Sequence, residues 1–472
     1  MTPEVARGGS ARPVMTRTLW LVGAVIALSG LLFGYDQGVI SGALRGIEQS
    51  FDIGTTMVEI ITSWVTLGAL VGALIAGTLA DRLGRRPAVL VAGVLFILGA
   101  LVEALATGPW VLVVGRLLVG FAVGVASVAA PLYAAEMAPT KLRGRFVSIY
   151  QLGITSGIFI AYLVDQALQS GSQWRAMLGL SAIVAVALIL AVLPLSDSPR
   201  WYLKMGRDAD ARAALQRVTR GDTEAAMVEL QETTQEDQNQ ASWGEVVSAR
   251  WRKPLMIGIG LAVFQQITGI NAIIYYADRI FEAAGFATPQ DQTMATTWAI
   301  GGVNVLATLV AVSFVDRLGR RPLLLTGLVG MGISLTVVGF AFLSLDDVAA
   351  SAPTASAGTT TSTAGVLTLV ALVVYIASFA FSMGPVVWTM ISEIYPRQVR
   401  GRAMSLATAA NWASAWLVSQ FFLTLTDGIG EPATFWLFAF FCVVCFIWIW
   451  LRVPETKERS LEEIEAMWSQ TS

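Results

Sequence analysis

The sequence predicts an all-α polytopic membrane protein: twelve transmembrane helices in two pseudo-symmetric six-helix halves. Three observations carry that prediction. The 472-residue chain is 55% hydrophobic with a mean hydropathy of +0.66, too apolar for a soluble protein of this length. Runs of roughly 20 apolar residues, enough to cross a ~30 Å hydrocarbon layer, recur along it. The highly charged heptapeptide DRLGRRP occurs twice, at 81–87 and 316–322, an offset of 235 (316 − 81).

The twelve spans are expected at 17–40, 58–80, 87–106, 110–133, 146–168, 176–195, 254–280, 294–315, 322–344, 365–390, 403–426 and 433–452. The short alternating segments of a membrane barrel are not seen. Before the first span, a tail (1–16) carries Arg7 and Arg12. Because no A-x-A cleavage site follows, the run from Leu19 to Ile40 reads as an uncleaved first helix. Each DRLGRRP falls in the short turn from the second to the third helix of a half. Gly84 and Gly319 suit that tight turn, and Pro87 and Pro322 suit the first position of the next helix.

A second repeat lies between the fourth and fifth helices of each half: EMAPTKLRGR (136–145) matches EIYPRQVRGR (393–402) at an offset of 257 (393 − 136). A weaker pair follows helices six and twelve, SDSPRW (196–201) and PETKER (454–459). These divide the chain into a first half (17–198), a linker (199–253), a second half (254–452) and a C-terminal tail (453–472). The linker, with DADARAALQRV and TEAAMVELQE, reads as short amphipathic helices. The Ser/Thr/Ala/Gly-rich stretch 351–365 reads as a flexible tether. Cys442 and Cys445 form CxxC spacing inside the last span; two thiols in a chain without histidine make no zinc site, so no metal is expected.

With a cytoplasmic N-terminus, inside segments hold 27 of the 31 Lys+Arg; Arg45, Arg175 and Arg279 lie outside and Arg116 lies within a span. That bias places both termini in the cytoplasm. Topology accounts for the basic residues but not for the paired acids Asp81, Glu136, Asp316 and Glu393. These acids and Arg85, Arg86, Arg143, Arg145, Arg320, Arg321, Arg400 and Arg402 are expected to form a cytoplasmic gate. Its interhelical ion pairs would close that side in one conformation and break in the other. Single exposed pairs contribute about 0–1 kcal/mol, which suits a switch.

Two six-helix halves, paired D-R-x-G-R-R turns, E-x-x-P-x-x-x-R-G-R repeats and the PETK-like tail resemble the sugar porter family of the major facilitator superfamily. The resemblance covers about residues 17–460 and implies a rocker-switch transporter with a central site. It departs from the family at SDSPRW, where Ser196 and Asp197 replace Pro and Glu.

Polar residues inside the spans mark that site. Helix seven reads FQQITGINAIIYY, with Gln265, Gln266, Asn271 and Tyr276 expected on one continuous helix; Gln151, Asn304, Trp388, Asn411 and Trp412 fall on four others. Interhelical amide bonds are one reading of single Asn or Gln residues. A set of amides with aromatic faces suits a sugar better, since amides both donate and accept toward hydroxyls. The resemblance implies sugar contacts at Gln151, Gln265, Gln266, Asn271, Asn304 and Trp388, with Asn411 at a position that is Asn or Gln in relatives. Tyr276, Trp412 and Phe33 complete the expected contacts. Arg116 is the one strong cation within the spans, so a neutral substrate is favoured.

Asp36 in GLLFGYDQGVISG and Arg116 in VVGRLLVG are intramembrane ionisable residues, which are costly and mark function by default. Family members with Asp in GYD are typically proton symporters, and facilitators often carry Asn. The expected partners are therefore a small neutral sugar, a proton and the bilayer, with no cofactor and no nucleic acid, and the chain acting as a monomer. A passive uniporter would keep everything except the role of Asp36; a non-transporting sugar sensor is a further alternative. An enzyme is disfavoured because no nucleophile–base pair, Walker loop or metal cluster is found in the sequence.

Overall fold

The computed structural model describes residues 15–139, 142–169, 173–219, 223–236, 242–351, 363–396, 398–457, 463 and 468. Among them the regular structure is helical, with no strand. The first half contains α1 (Arg17–Phe51), α2 (Thr55–Leu83), α3 (Arg85–Ala104), α4 (Pro109–Met137), α5 (Arg143–Leu168) and a sixth span made of α6 (Trp174–Gly179) and α7 (Ser181–Val192). The linker folds into α8 (Pro199–Lys204), α9 (Asp208–Val218), α10 (Thr223–Glu236) and α11 (Trp243–Val246). The second half contains α12 (Arg252–Ile267), α13 (Ile270–Tyr275), α14 (Ala277–Ala283), α15 (Pro289–Ala295), α16 (Val303–Leu318), α17 (Arg320–Ser351), α18 (Thr363–Phe381), α19 (Met383–Ile394), α20 (Arg400–Ile429) and α21 (Glu431–Arg452).

Among the described residues, eleven helical stretches are long and apolar enough to cross a membrane. The twelfth is α20, whose 30 residues suffice in length. Asn411, Ser414, Ser419 and Gln420, all buried in the bundle, lower its apolar character. The core of the eleventh span is polar because it faces protein, not lipid.

Helix α1 outruns the expected end at 40. Thr16 caps its start, accepting from the Leu19 N–H at 3.2 Å, and it continues to Phe51. The polar residues that suggested a loop have partners on α14: Arg45 pairs with Glu282 at 3.0 Å, and Glu48 pairs with Arg279. The stretch read as a tether is shortened in the same way, since α17 reaches Ser351; residues 352–362 lie outside the described residues.

Close helix packing is written in small residues. A Cβ added at Gly34 of α1 would lie 1.8 Å from the Ile154 carbonyl oxygen of α5, and one at Gly38 would lie 2.8 Å from that of Ile158. No larger residue fits this seam, which is how helices pack where lipid gives no hydrophobic drive. The seam brings the Asp36–Gln37 segment against the middle of the bundle.

The seventh span is not one helix. Gly269, at φ 99°, breaks it between α12 and α13. Gln265 and Gln266 therefore end α12, Asn271 lies on α13, and Tyr276 stands at the joint with α14. The tenth span breaks at Ser382 between α18 and α19, and a π-helical segment, Thr296–Gly302, interrupts the eighth. Discontinuous helices free backbone carbonyls at mid-depth, where a polar ligand can use them.

Candidate functional site

An amide cluster forms where these breaks meet. The Gln265 side chain donates to the carbonyls of Met383 (2.8 Å) and Gly384 (3.3 Å) in the first turn of α19. Asn411 of α20 donates to Gln265 Oε1 (2.8 Å) and to the Ala262 carbonyl (2.9 Å). Gln266 donates to Asn411 Oδ1 at 3.2 Å, while its own Oε1 is buried with no hydrogen-bond partner. A buried acceptor in this position awaits a donor, as a ligand hydroxyl would be. Gln151 of α5 reaches the cluster from the first half: its amide nitrogen lies 3.8 Å from where a Cβ on Gly384 would stand.

Asn271 belongs to a second, linked group. Gln37 of α1 donates to Asn271 Oδ1 (3.2 Å) and to the Tyr275 hydroxyl (3.5 Å), crossing between the halves. Asn304 is 5% exposed on α16, and Trp388 is half-buried on α19. Trp412 is buried against Phe33, with ring centroids 5.3 Å apart, an aromatic contact between α20 and α1.

Tyr276 corrects the expectation of a sugar contact. It is wholly buried, its hydroxyl donates to the Ser419 carbonyl (2.9 Å), and its ring stacks on Phe422 at 5.1 Å. The helix break at Gly269 removes the shared face that would have turned it toward Gln265 and Gln266.

The buried charges Asp36 and Arg116 meet. Arg116 Nη1 lies 2.6 Å from Asp36 Oδ1, and its Nε donates to the Ile61 carbonyl at 3.2 Å. The arginine is fully buried and Asp36 is 4% exposed. A third member was not foreseen: Glu103 of α3, 1% exposed, lies 3.5 Å from the same Nη1. The intramembrane-charge rule that singles out Asp36 applies equally to Glu103 in GALVEALA, so the signal was present. Gln37, adjacent to Asp36, carried no comparable signal.

At the face bearing the repeated motifs, the two halves carry matching clusters. Arg85 forms a bidentate pair with Glu136 (2.9 and 3.0 Å) and contacts Asp81 at 3.0 Å; Arg320 pairs with Glu393 at 2.9 Å. Ser198 donates to Glu136, and Thr456 donates to Glu393 at 2.6 Å. Asp197 accepts from the Arg85 N–H (3.0 Å) and Arg86 N–H (3.4 Å), just as Glu455 accepts from those of Arg320 and Arg321 (3.0 Å each). The departure at SDSPRW thus keeps the contact, with a shorter acid capping α3 as the longer one caps α17. Burial holds the Asp197 carboxyl above the ordinary carboxylate range, opposed by the N–H groups it accepts.

Arg86 and Arg321 cap the C-terminal ends of α7 and α21, donating to the Leu193 (2.8 Å) and Trp450 (2.6 Å) carbonyls. Arg400 donates to the Tyr395 carbonyl at 3.1 Å, Arg402 lies 5.4 Å over the Trp243 ring, and Arg145 is exposed. The side chains of Arg143 and Asp316 lie outside the described residues. Among the described residues, the motif ion pairs seen in this one state stay within the halves. Each joins helices of one half, because the turn, the E-x-x-P-x-x-x-R-G-R segment and the post-span acid of a half converge on one spot. They brace each half from within.

Contacts between the halves gather instead toward the opposite face. Arg45 bonds Glu282 and Gln292 (2.7 Å), Glu59 accepts from Thr424 N and Oγ1 (2.7 Å each), and Ser63 donates to Gln420 at 2.7 Å. That face is sealed in this state. A polar cavity of about 490 Å³ lies within the seal, lined by Arg45, Glu48, Asp278, Arg279 and Glu282, apart from the amide cluster. Sequence reading missed Glu59, Asp165 and Asp278, carboxylates whose partners come from distant segments.

Residues 22–468 match the family "Sugar (and other) transporter". The chain is 39% identical over 447 residues to the arabinose-proton symporter of Escherichia coli (strain K12), covering 94% of this chain and 92% of that protein. It is 38% identical over 467 residues to the galactose-proton symporter of the same strain (98% and 96%), and 39% over 463 residues to the D-xylose transporter of Levilactobacillus brevis (96% of each). The inward-open structure of the E. coli xylose transporter XylE matches with a TM-score of 0.79 at 28% identity, over 95% of this chain and all of that one.

Proposed function

Because this chain belongs to the sugar transporter family of the major facilitator superfamily, we propose that it imports a neutral monosaccharide together with a proton by alternating access. Members of this family are membrane transporters, not enzymes. The observation that carries the coupling is the buried Asp36–Arg116 pair, one residue from Gln37, whose amide holds Asn271 of the other half. Protonation of Asp36 removes the charge that Arg116 pairs with. Its segment of α1 is then free to shift, and the Gln37–Asn271 bond carries that shift to the sugar site. Sugar and proton thereby bias one rocking equilibrium.

The sugar is proposed to bind among Gln151, Gln265, Gln266, Asn271, Asn304, Trp388 and Asn411, with the Phe33–Trp412 pair closing one end. The unpartnered Gln266 Oε1 supports this reading, as does the wealth of amides over charges: such groups exchange hydrogen bonds with sugar hydroxyls at little net cost. Pentoses and hexoses named for the relatives, arabinose, galactose and xylose, are the first candidates. The protein is proposed to sit in the cytoplasmic membrane as a monomer, its motif face and both termini toward the cytoplasm, which makes the sealed face the outer one.

One charge moving down ~100 mV supplies about 2.3 kcal/mol, enough for an approximately fifty-fold sugar gradient. The test is uptake of labelled arabinose, galactose and xylose into proteoliposomes holding an imposed proton gradient, with and without an uncoupler. Accumulation above the external concentration that the uncoupler abolishes supports symport. Equilibration at the same level in both conditions would instead establish a uniporter.

A further inference from the structure

Resting on the proton-coupling reading above, we propose that Glu103 is a positioning residue of the proton site, competing with Asp36 for one guanidinium nitrogen and holding Arg116 whenever Asp36 carries the proton. Arg116 Nη1 stands between two carboxylates, 2.6 Å from Asp36 Oδ1 and 3.5 Å from Glu103 Oε1. The nearer contact is a hydrogen bond, while Glu103 Oε1 makes none and is buried. Arg116 Nη2 also lacks a hydrogen-bond partner.

The packing is built to admit this arm. A Cβ at Gly115, one residue before the arginine, would lie 2.6 Å from Glu103 Cγ, so only glycine lets the glutamate lie along α4. The ionisable groups facing Glu103 are Arg116 and Asp36. Tyr275 of α13 faces the arginine with its hydroxyl bonded by Gln37, and α2 contributes the Ile61 carbonyl. Arg175 of α6 is directed to the Ala106 carbonyl and the Trp174 ring.

Two buried acids and one buried base carry a net charge of −1 without a proton and none with one. With a single acid, protonating it would orphan the guanidinium in the bundle, which is strongly unfavourable. With Glu103 present, the proton adds to Asp36, the Nη1–H···Oδ1 bond breaks, and an Nη1–H···Oε1 bond to Glu103 replaces it. Release of the proton reverses the exchange. Glu103 therefore raises the affinity of Asp36 for its proton without touching the sugar.

The experiment uses the full chain in proteoliposomes and reads initial uptake of a sugar that the wild type accumulates, as a function of external pH, with counterflow on the same samples. Glu103→Gln is expected to move the half-maximal point at least about one pH unit toward acid, tenfold in proton concentration, while counterflow continues. An unmoved midpoint overturns the proposal, since a purely packing glutamate would lower yield or Tm and leave the profile in place. Glu103→Asp keeps the charge on a shorter arm and covers the case of a misfolded Gln variant: a smaller shift in the same direction is expected, and a midpoint at or above the wild-type value overturns the role. Failure of the wild type itself to accumulate sugar would overturn the coupling reading, and this role with it.

Discussion

The side-chain amide of Gln37 on α1 donates to Asn271 Oδ1 on α13 at 3.2 Å, one residue along from an aspartate bound to a buried arginine. This bond joins the first half to the second and would place the proposed proton site and the proposed sugar site in mechanical contact. A shift of α1 cannot occur without either carrying Asn271 along or breaking the bond.

Gln37→Ala and Asn271→Ala are each expected to weaken sugar binding by about 1–3 kcal/mol, the cost of a broken buried hydrogen bond. Binding by the purified protein, measured calorimetrically, is the check. Wild-type affinity in both variants would move the site away from this bond.

Asp36→Asn is nearly isosteric and resembles the permanently protonated side chain. Proton-driven accumulation should vanish, whereas exchange of labelled for unlabelled sugar, which needs no net proton movement, should persist. Uphill uptake by the variant at the wild-type ratio would end the assignment of coupling to this residue.

The two motif clusters should differ in strength although their sequences match. The Arg85 and Glu136 side chains are 3% and 4% exposed, against 13% and 27% for Arg320 and Glu393. Arg85→Ala leaves Glu136 buried without its cation and should cost about 3–5 kcal/mol of stability. Arg320→Ala should cost about 1 kcal/mol, because solvent screens the more open pair. Thermal unfolding in detergent measures both; equal losses would show that exposure does not govern these clusters.

Glu59, 1% exposed on α2, holds Thr424 of α20 through two hydrogen bonds across the halves. Glu59→Ala should loosen the sealed face and shift the population toward opening there by tenfold or more, as expected for hydrogen bonds to a charged group. A cysteine at Ser41, in a background lacking Cys442 and Cys445, would report this as faster reaction with an impermeant thiol reagent added to the opposite side from the motifs. An unchanged labelling rate would remove Glu59 from the seal.

Gly115 and Glu103 show where sequence reading reached its limit. Both were legible as residues: a glycine beside an intramembrane arginine, and a carboxylate in an apolar run. That they touch depends on the crossing of α3 over α4, which no local pattern encodes. The same holds for Tyr276, whose residue type suits a sugar site but whose direction was set by the break at Gly269.

Local composition and repetition were legible along the chain. Apolar run length set the spans, because backbone polar groups in lipid must be satisfied within helices. The duplicated charged turns set the two halves, and the isolated charges Asp36 and Arg116 stood out because hydrocarbon makes them costly. Which partners those residues found was left to helix packing. It directed the motif arginines to acids of their own half, lengthened α1 by supplying partners to Arg45 and Glu48, and brought Glu103 to Arg116. Pairing of buried polar groups depends on distances of a few ångströms between segments far apart in the chain, and those distances are fixed by helix packing.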